Sequence, residues 1–578
     1  MTALFGVALI ALIWTWTRSL FGRSAGWLAA GLAAMSPTLL AHGGLATSDI
    51  VLSCCLLGAL SAFWQLWHRI TWWRFALASL ATGAALLAKV SGVLLVPMLA
   101  VLLVVRCMGR TPLRVRLGAR NRRVTARASR VALLAGTFGA VGLFATAMIW
   151  TAYEFRFEPQ RSPAQPGLTF DPSWETLLHG DCAAQPTKAV TGALLIESGF
   201  KSAPPPIFAH AVSWCRDHRV LPEAYLWSVA FTFQASRTRP SFFWGKASTT
   251  GSVWFFPAAF LLKTTPPELL LITLGLAGAV VFGAFRTTAP RPRNRCRALL
   301  YRSVPLLVLF VLYGLVAINT PLNIGHRHLL PIYPVVFVFA GAAALWLRGG
   351  HRLIAASILV ALCGWQIIES GRVRPFYLSY FTPSIGDAGW RHFVDSSYDW
   401  GQGLPALKQW IEAKRATGDT APVFLSYFGS DSPRARGLPV IRVADWRDDS
   451  GPRNYPAPLR GGWYAISATN FQRIYLGIPG PWPQYEARYR EIAAALPSDQ
   501  AKAARLTEAE RAEWLHNAML FEILQFGRLC HALREREPDA IVGSSILIFQ
   551  LSDEEVSTAL TAPLEKITGR RLVGSAPN

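Results

Sequence analysis

Carboxylates are nearly absent from the front of this chain: Asp49 is the only Asp or Glu in its first 153 residues, although arginines are plentiful there. Cysteine is no richer a source of chemistry. Cys54, Cys55, Cys107, Cys296, Cys363 and Cys530 show none of the spacings that hold a metal. There is no Walker loop, GxSxG, HExxH or paired CxxC, and no short-period internal repeat. The opening MTALFG carries no positive charge, so the start does not follow the signal-peptide pattern. These absences remove the P-loop, serine-hydrolase and zinc-protease classes.

What the chain does contain is apolar surface. It has 578 residues, 52% of them hydrophobic, with 22 Trp and a mean hydropathy of +0.30, which points to a protein crossing a membrane several times. The net charge of +23 is not a nucleic-acid footprint, because of where it lies. Residues 371–578 carry 24 basic and 23 acidic residues, whereas the first 370 carry 33 and 11. A bilayer needs roughly 20 apolar residues per crossing, and about ten runs qualify. They lie near 3–17, 25–42, 50–67, 72–88, 91–106, 131–152, 266–285, 303–319, 329–347 and 353–369. Arginine clusters follow the first, third, fifth, seventh and ninth runs, nine of them between Arg106 and Arg130. Their alternation assigns those loops to the cytoplasm. The loops at Asp49, Lys89, 153–265, 320–328 and 370–578 then lie outside.

This topology puts Met1 outside. We expect that the sequence lacks a first transmembrane helix and the outer loop after it; an outside-first chain is the alternative. The outer loop 153–265 is too long for a simple connection, and its Cys182 and Cys215 are either a disulfide or two thiols. The expected organisation is mainly α: a polytopic helix bundle over 1–370, then an extracytoplasmic α/β domain over 371–578. In the latter, strand-like VFLSYF, WYAISA and SSILIFQL alternate with helix-like LPALKQWIEAKR and EAERAEWLHNAMLFEILQFGRL.

Asp49 lies at the junction of two apolar runs, where an ionisable group pairs, binds or reacts. Thr47-Ser48-Asp49 is equally a helix N-cap signature. NIGHRHLLP, residues 323–331, sets His326, Arg327 and His328 beside a glycine at the outer end of a span, either as an anion site or as an interface anchor. Lys89 is a lone outer cation. Lys263, among apolar residues, either snorkels or holds a phosphate. Asp395 and Asp399 suit turns as well as ligands.

SPTLLAHGGLATSD, LATGAALLAKVSG, NIGHRHLLPIYP, PFYLSYF, DSSYDWGQGL, YFGSDSPRARG and WYAISATN resemble the GT-C membrane glycosyltransferases. More specifically they resemble the bacterial branch related to protein O-mannosyltransferases and aminoarabinose transferases, and the resemblance spans nearly the whole chain. The resemblance implies an inverting transfer of a sugar from a polyprenyl-phosphate carrier to a protein, lipid or glycan acceptor on the outer face of a bacterial inner membrane. Lys89, Lys263, His326, Arg327 and His328 would hold the donor phosphate. Asp49 matches a supporting acid, orienting the acceptor or a divalent cation, while the family's general base belongs to an earlier outer loop. Two other classes remain open: a lipid or anion transporter or flippase, and an inactive partner subunit. Transporters show repeat symmetry and interrupted mid-membrane spans; here the polar residues gather at one level.

Overall fold

The computed structural model describes the chain outside residues 1, 110, 119, 160–169, 181–202, 238, 285–291, 445–457, 497–506 and 568–578. Seven described helices are long and apolar enough to cross a membrane: Thr2–Phe21, Ser48–Leu66, Val90–Met108, Arg127–Ala152, Cys296–Asn319, His326–Arg348 and Arg352–Arg372. Two bent pairs bring the number up to nine. Arg23–Ala34 meets Pro37–Gly44 at 59°, and Phe255–Lys263 meets Pro266–Phe282 at 104°. Each second segment opens with a proline, which lacks an N–H and so starts a helix more readily than it continues one. The remaining expected run forms the shorter helix Trp72–Ala88. Each expected apolar run is thus mainly helical among the described residues, but the helices long enough to cross number seven to nine where about ten spans were expected.

Two spans are enclosed and the others line the outside. Ser48–Leu66 is 78% buried and His326–Arg348 is 89% buried, against 22–33% for the other five. The enclosed pair carries the two charged motifs of the apolar half at its ends, Asp49 on one and His326-Arg327-His328 on the other.

The arginine-bearing connections gather at one end of the bundle. Arg69–Ile70 pairs in parallel with the hairpin Leu113–Leu117/Arg120–Val124. The His68 ring and the Tyr301 hydroxyl share a hydrogen bond of 2.9 Å. Arg348 donates to the Phe21 carbonyl at 2.7 Å, and Arg302 donates to that of Ser19. Segments that follow the first, third, fifth, seventh and ninth apolar runs therefore share one face, as the charge alternation requires.

At the other end sits a five-stranded mixed sheet, ordered Ile441–Arg442, Val423–Ser426, Gly462–Ser467, Ile546–Leu551, Ala540–Val542. Val423–Ser426 runs parallel to both neighbours, and Ile546–Leu551 antiparallel to both of its own. Helix Leu404–Ala416 buries Leu404, Leu407 and Ile411 against this sheet. Glu508–Ala532 begins with a capping box between Thr507 and Glu510. The Cys182–Cys215 pairing lies outside the described residues.

Lys263 fastens the two parts together. Its ammonium donates to the carbonyls of Leu378 (2.9 Å), Tyr380 (2.8 Å) and Ser397 (2.5 Å), and lies 4.1 Å from the centre of the Phe381 ring. Gly325 allows the second approach: a Cβ there would collide with the Ser396 side chain.

Candidate functional site

Between bundle and sheet lies a cavity of about 440 Å³. Its floor is the loop Ala46 to Asp49, where the break after Pro37–Gly44 delivers the chain into the enclosed helix Ser48–Leu66. Asp49 is in the first turn of that helix, where a carboxylate also suits the helix dipole. It is not the N-cap. Thr47 holds that position and makes no side-chain cap bond. The Asp49 carboxylate, 4% exposed, accepts instead from the Lys89 ammonium at 2.5 Å. Lys89 closes helix Trp72–Ala88 at its C-terminal end and keeps 24% of its side chain exposed. The pair is thus anchored on its acidic side and open on its basic side.

The second wall is the segment before and at the start of His326–Arg348: Leu322, Ile324, Arg327 and His328. Asn323 fastens this loop. Its side-chain oxygen accepts from the Ser252 N–H, and its amide donates to the Thr320 carbonyl at 3.3 Å. Arg327 stacks its guanidinium 4.4 Å from the centre of the Trp400 ring, which also lines the cavity. Arg239 adds a further cation; it lies 5.8 Å from the Tyr475 ring, whose hydroxyl donates to the Asp395 carboxylate.

The structure therefore brings together Asp49, Lys89, Arg327 and His328. It does not bring Lys263 and His326 into the same lining. The Lys263 donors are spent on three carbonyls, so the expectation that it faces the anion is corrected: here it is a fastener. His326 turns into the bundle, where its ring shares a 2.6 Å hydrogen bond with the Tyr333 hydroxyl and its backbone N–H donates to Ser397 Oγ at 2.9 Å. Adjacent residues in a 3₁₀ turn point in different directions, which is why only His328 of the two histidines reaches the cavity. Arg239 and Trp400 are additions. The loop 153–265 holds six arginines, and nothing in the sequence around Arg239 sets it apart from the others.

A divalent cation does not fit this donor set. Asp49 is the only carboxylate among the described lining residues, its oxygen engages Lys89, and cations surround it. No group of three or more His, Cys, Asp or Glu is assembled among the described residues. Hard divalent ions need several oxygen ligands, so no step is routed through a metal.

Asp395 and Asp399 are turn residues. Asp395 holds the left-handed conformation (φ 53°), which Asp tolerates, and accepts from the Ser396 N–H at 2.5 Å. Asp399 accepts from the N–H groups of Gly401 (3.2 Å) and Thr469 (3.5 Å). Burial pushes its carboxyl up to about 7 despite those hydrogen bonds.

Residues 1–118 match the family model of dolichyl-phosphate-mannose-protein mannosyltransferases. No curated protein matches. Among solved structures, ArnT from Cupriavidus metallidurans in the apo state is 13% identical over 82% of this chain and 79% of its own, with a TM-score of 0.20, too loose a superposition to carry residue correspondences. The match likens the first 118 residues of the chain to that family, and the long apolar helices are those of an integral membrane protein.

Proposed function

We propose that this protein takes a sugar from a polyprenyl-phosphate carrier and transfers it to an acceptor on the outer face, with the donor phosphate held in the cavity. The observation that carries this reading is the charge of the lining: Lys89, Arg239 and Arg327 face a cavity in which Asp49 is the one acid among the described lining residues. An excess of cations around a concave site suits a phosphate. When the glycosidic bond breaks, its electron pair moves to the phosphate oxygen. Guanidinium and ammonium groups already in place then neutralise the growing charge. Arg327, braced against Trp400, presents a planar donor fork. Asp49 holds Lys89 at the rim and orients the acceptor.

In this reading the arginine-rich end is cytoplasmic, residues 371–578 form an outer domain, and the cavity opens on the outer face of a bacterial inner membrane. The test has two arms. A membrane-impermeant thiol reagent applied to intact cells should label Ala416→Cys and not Ala126→Cys; the reverse result would sink the topology. For the purified protein in nanodiscs, Arg327→Ala should weaken binding of a polyprenyl phosphate by about 1.5–3 kcal/mol, the worth of a charge-assisted hydrogen bond. That is roughly a 10- to 100-fold rise in Kd. Unchanged affinity in both Arg327→Ala and Arg239→Ala would refute the phosphate site.

A further inference from the structure

The cavity has a third wall that the phosphate chemistry does not use. It is the end of helix Glu223–Ala235, contributing Phe231, Thr232 and Ala235, with the C-cap Ser236. Phe231 belongs to an aromatic stack. Its ring centre lies 4.9 Å from that of Trp227 at an interplanar angle of 11°, and Trp227 lies 5.4 Å from Phe170 at 18°. Trp227 and Phe231 stand four residues apart, the spacing that puts side chains on one helix face. The Trp227 indole N–H donates to the Pro172 carbonyl at 3.0 Å, which fixes the stack to the loop behind it. Phe231 is therefore a ring held at a set angle, and it is 37% exposed.

The cavity also carries hydroxyl groups. Thr47, Ser48, Thr232 and Ser236 all line the same cavity. The Thr47 Oγ1 is buried and has no hydrogen-bond partner among the described residues. A buried hydroxyl left in this condition costs free energy unless a ligand completes it. A flat ring in a cavity that also carries hydroxyls matches one kind of ligand well. A pyranose has an apolar C–H face that lies on an aromatic ring, whose negative face attracts the partly positive C–H hydrogens, and an equatorial belt of hydroxyls that needs donors and acceptors. An isoprenoid chain would leave the Thr47 hydroxyl unsatisfied.

We propose that Phe231, with the Thr47 hydroxyl of the same cavity, is the seat of the transferred sugar and a determinant of which sugar is accepted. This rests on the proposed function: a phosphate held by Arg327 is bonded to C1 of its sugar, so that sugar must lie within the same cavity.

The probes are farnesyl phosphate and farnesyl-phosphate glycosides of mannose, glucose, galactose and aminoarabinose, bound to the purified full chain in nanodiscs. Wild type should bind at least one glycoside more tightly than the bare carrier. Phe231→Ala should lose about fivefold or more of affinity for that glycoside and leave bare farnesyl phosphate unchanged, whereas Phe231→Tyr should keep the preference. Thr47→Val should narrow it in the same direction. If no glycoside is preferred by wild type, or if Phe231→Ala weakens carrier and glycoside alike, the subsite is overturned and the ring belongs to the lipid chain. Arg327→Ala separates this from the phosphate site, since it should weaken both probes. A Phe231 failure with an intact Arg327 effect refutes the sugar seat alone.

Discussion

Both ends of the bundle are rich in cations, yet they use them in opposite ways. At the arginine end the guanidinium groups meet backbone carbonyls. Arg106 donates to Trp67 and Thr111 at 3.0 and 3.1 Å, Arg130 to Gly109 and Thr111 at 3.0 and 2.9 Å, and Arg348 to Phe21. They satisfy helix C-termini, whose last carbonyls lack partners, and complement the negative end of the dipole. At the other end Lys89, Arg239 and Arg327 meet a carboxylate, aromatic rings and open space. A cation that ends on backbone carbonyls is held by them and is part of the scaffold. One that ends on a ring or at a cavity rim keeps donors for a ligand. By this criterion Lys263 belongs with the arginine end, although it sits beside the cavity.

The largest expected effect breaks that comparison at Lys263. Replacing it by Met should leave three buried carbonyls without a donor, at about 1–3 kcal/mol each when unsatisfied, partly relieved by water or local shifts. Lys263→Met should therefore lower the melting temperature or the yield of folded protein strongly. The folded fraction should bind polyprenyl phosphate as wild type does, the reverse of Arg327→Ala. A Lys263→Met protein of normal stability and weakened phosphate binding would move Lys263 back among the ligand-facing cations.

Asp49 sharpens the comparison within the cavity. Asn retains an oxygen to accept from Lys89, so Asp49→Asn should fold with little loss of stability. Removing the one negative charge makes the cavity more cationic, so affinity for bare polyprenyl phosphate should hold or rise. On the proposed function, transfer should nonetheless fall by at least about tenfold, because the carboxylate proposed to orient the acceptor is gone. Full transfer by Asp49→Asn would reduce Asp49 to a partner of Lys89 and nothing more. Lower phosphate affinity would mean that Lys89 is misplaced without its carboxylate.

The fold was legible because apolar runs and arginine alternation are local signals: all ten runs became mainly helical, and the arginine loops met at one end. Within the site, Asp49, Lys89, Arg327 and His328 were legible as charges where hydrocarbon ends. Lys263 looked the same in sequence as Lys89. What separates them are the carbonyls of Leu378, Tyr380 and Ser397, more than a hundred residues away, and no periodicity encodes those contacts. Arg239 escaped notice because an arginine in a polar loop is unremarkable, and Phe231 because an aromatic residue in an apolar helix usually denotes packing. Trp400 lies inside the DSSYDWGQGL motif, yet its role depends on Arg327 arriving from another segment.

The smallest expected effect concerns the junction itself. Asp399 precedes the Trp400 that braces Arg327, is fully buried, and has a carboxyl raised to about 7 because burial disfavours its charged form. An unfolded aspartate titrates near 3.9. Between those two values the folded protein keeps a proton that the unfolded chain has released, so stability falls as pH rises through that window. The slope is at most about 1.4 kcal/mol per pH unit for this one proton. Below the window and above it, the contribution of this group is flat. Asp399→Asn, uncharged throughout, should remove that slope, so that the difference in melting temperature between wild type and variant shifts towards the variant from about pH 4 to 7. A constant difference across that range would show that the Asp399 carboxyl titrates in the folded protein as it does in water. If the brace matters to binding, the same titration should appear as a weak loss of polyprenyl-phosphate affinity above pH 7 in wild type and not in Asp399→Asn. Identical pH profiles of affinity would confine Asp399 to stability and leave the Arg327–Trp400 contact independent of it.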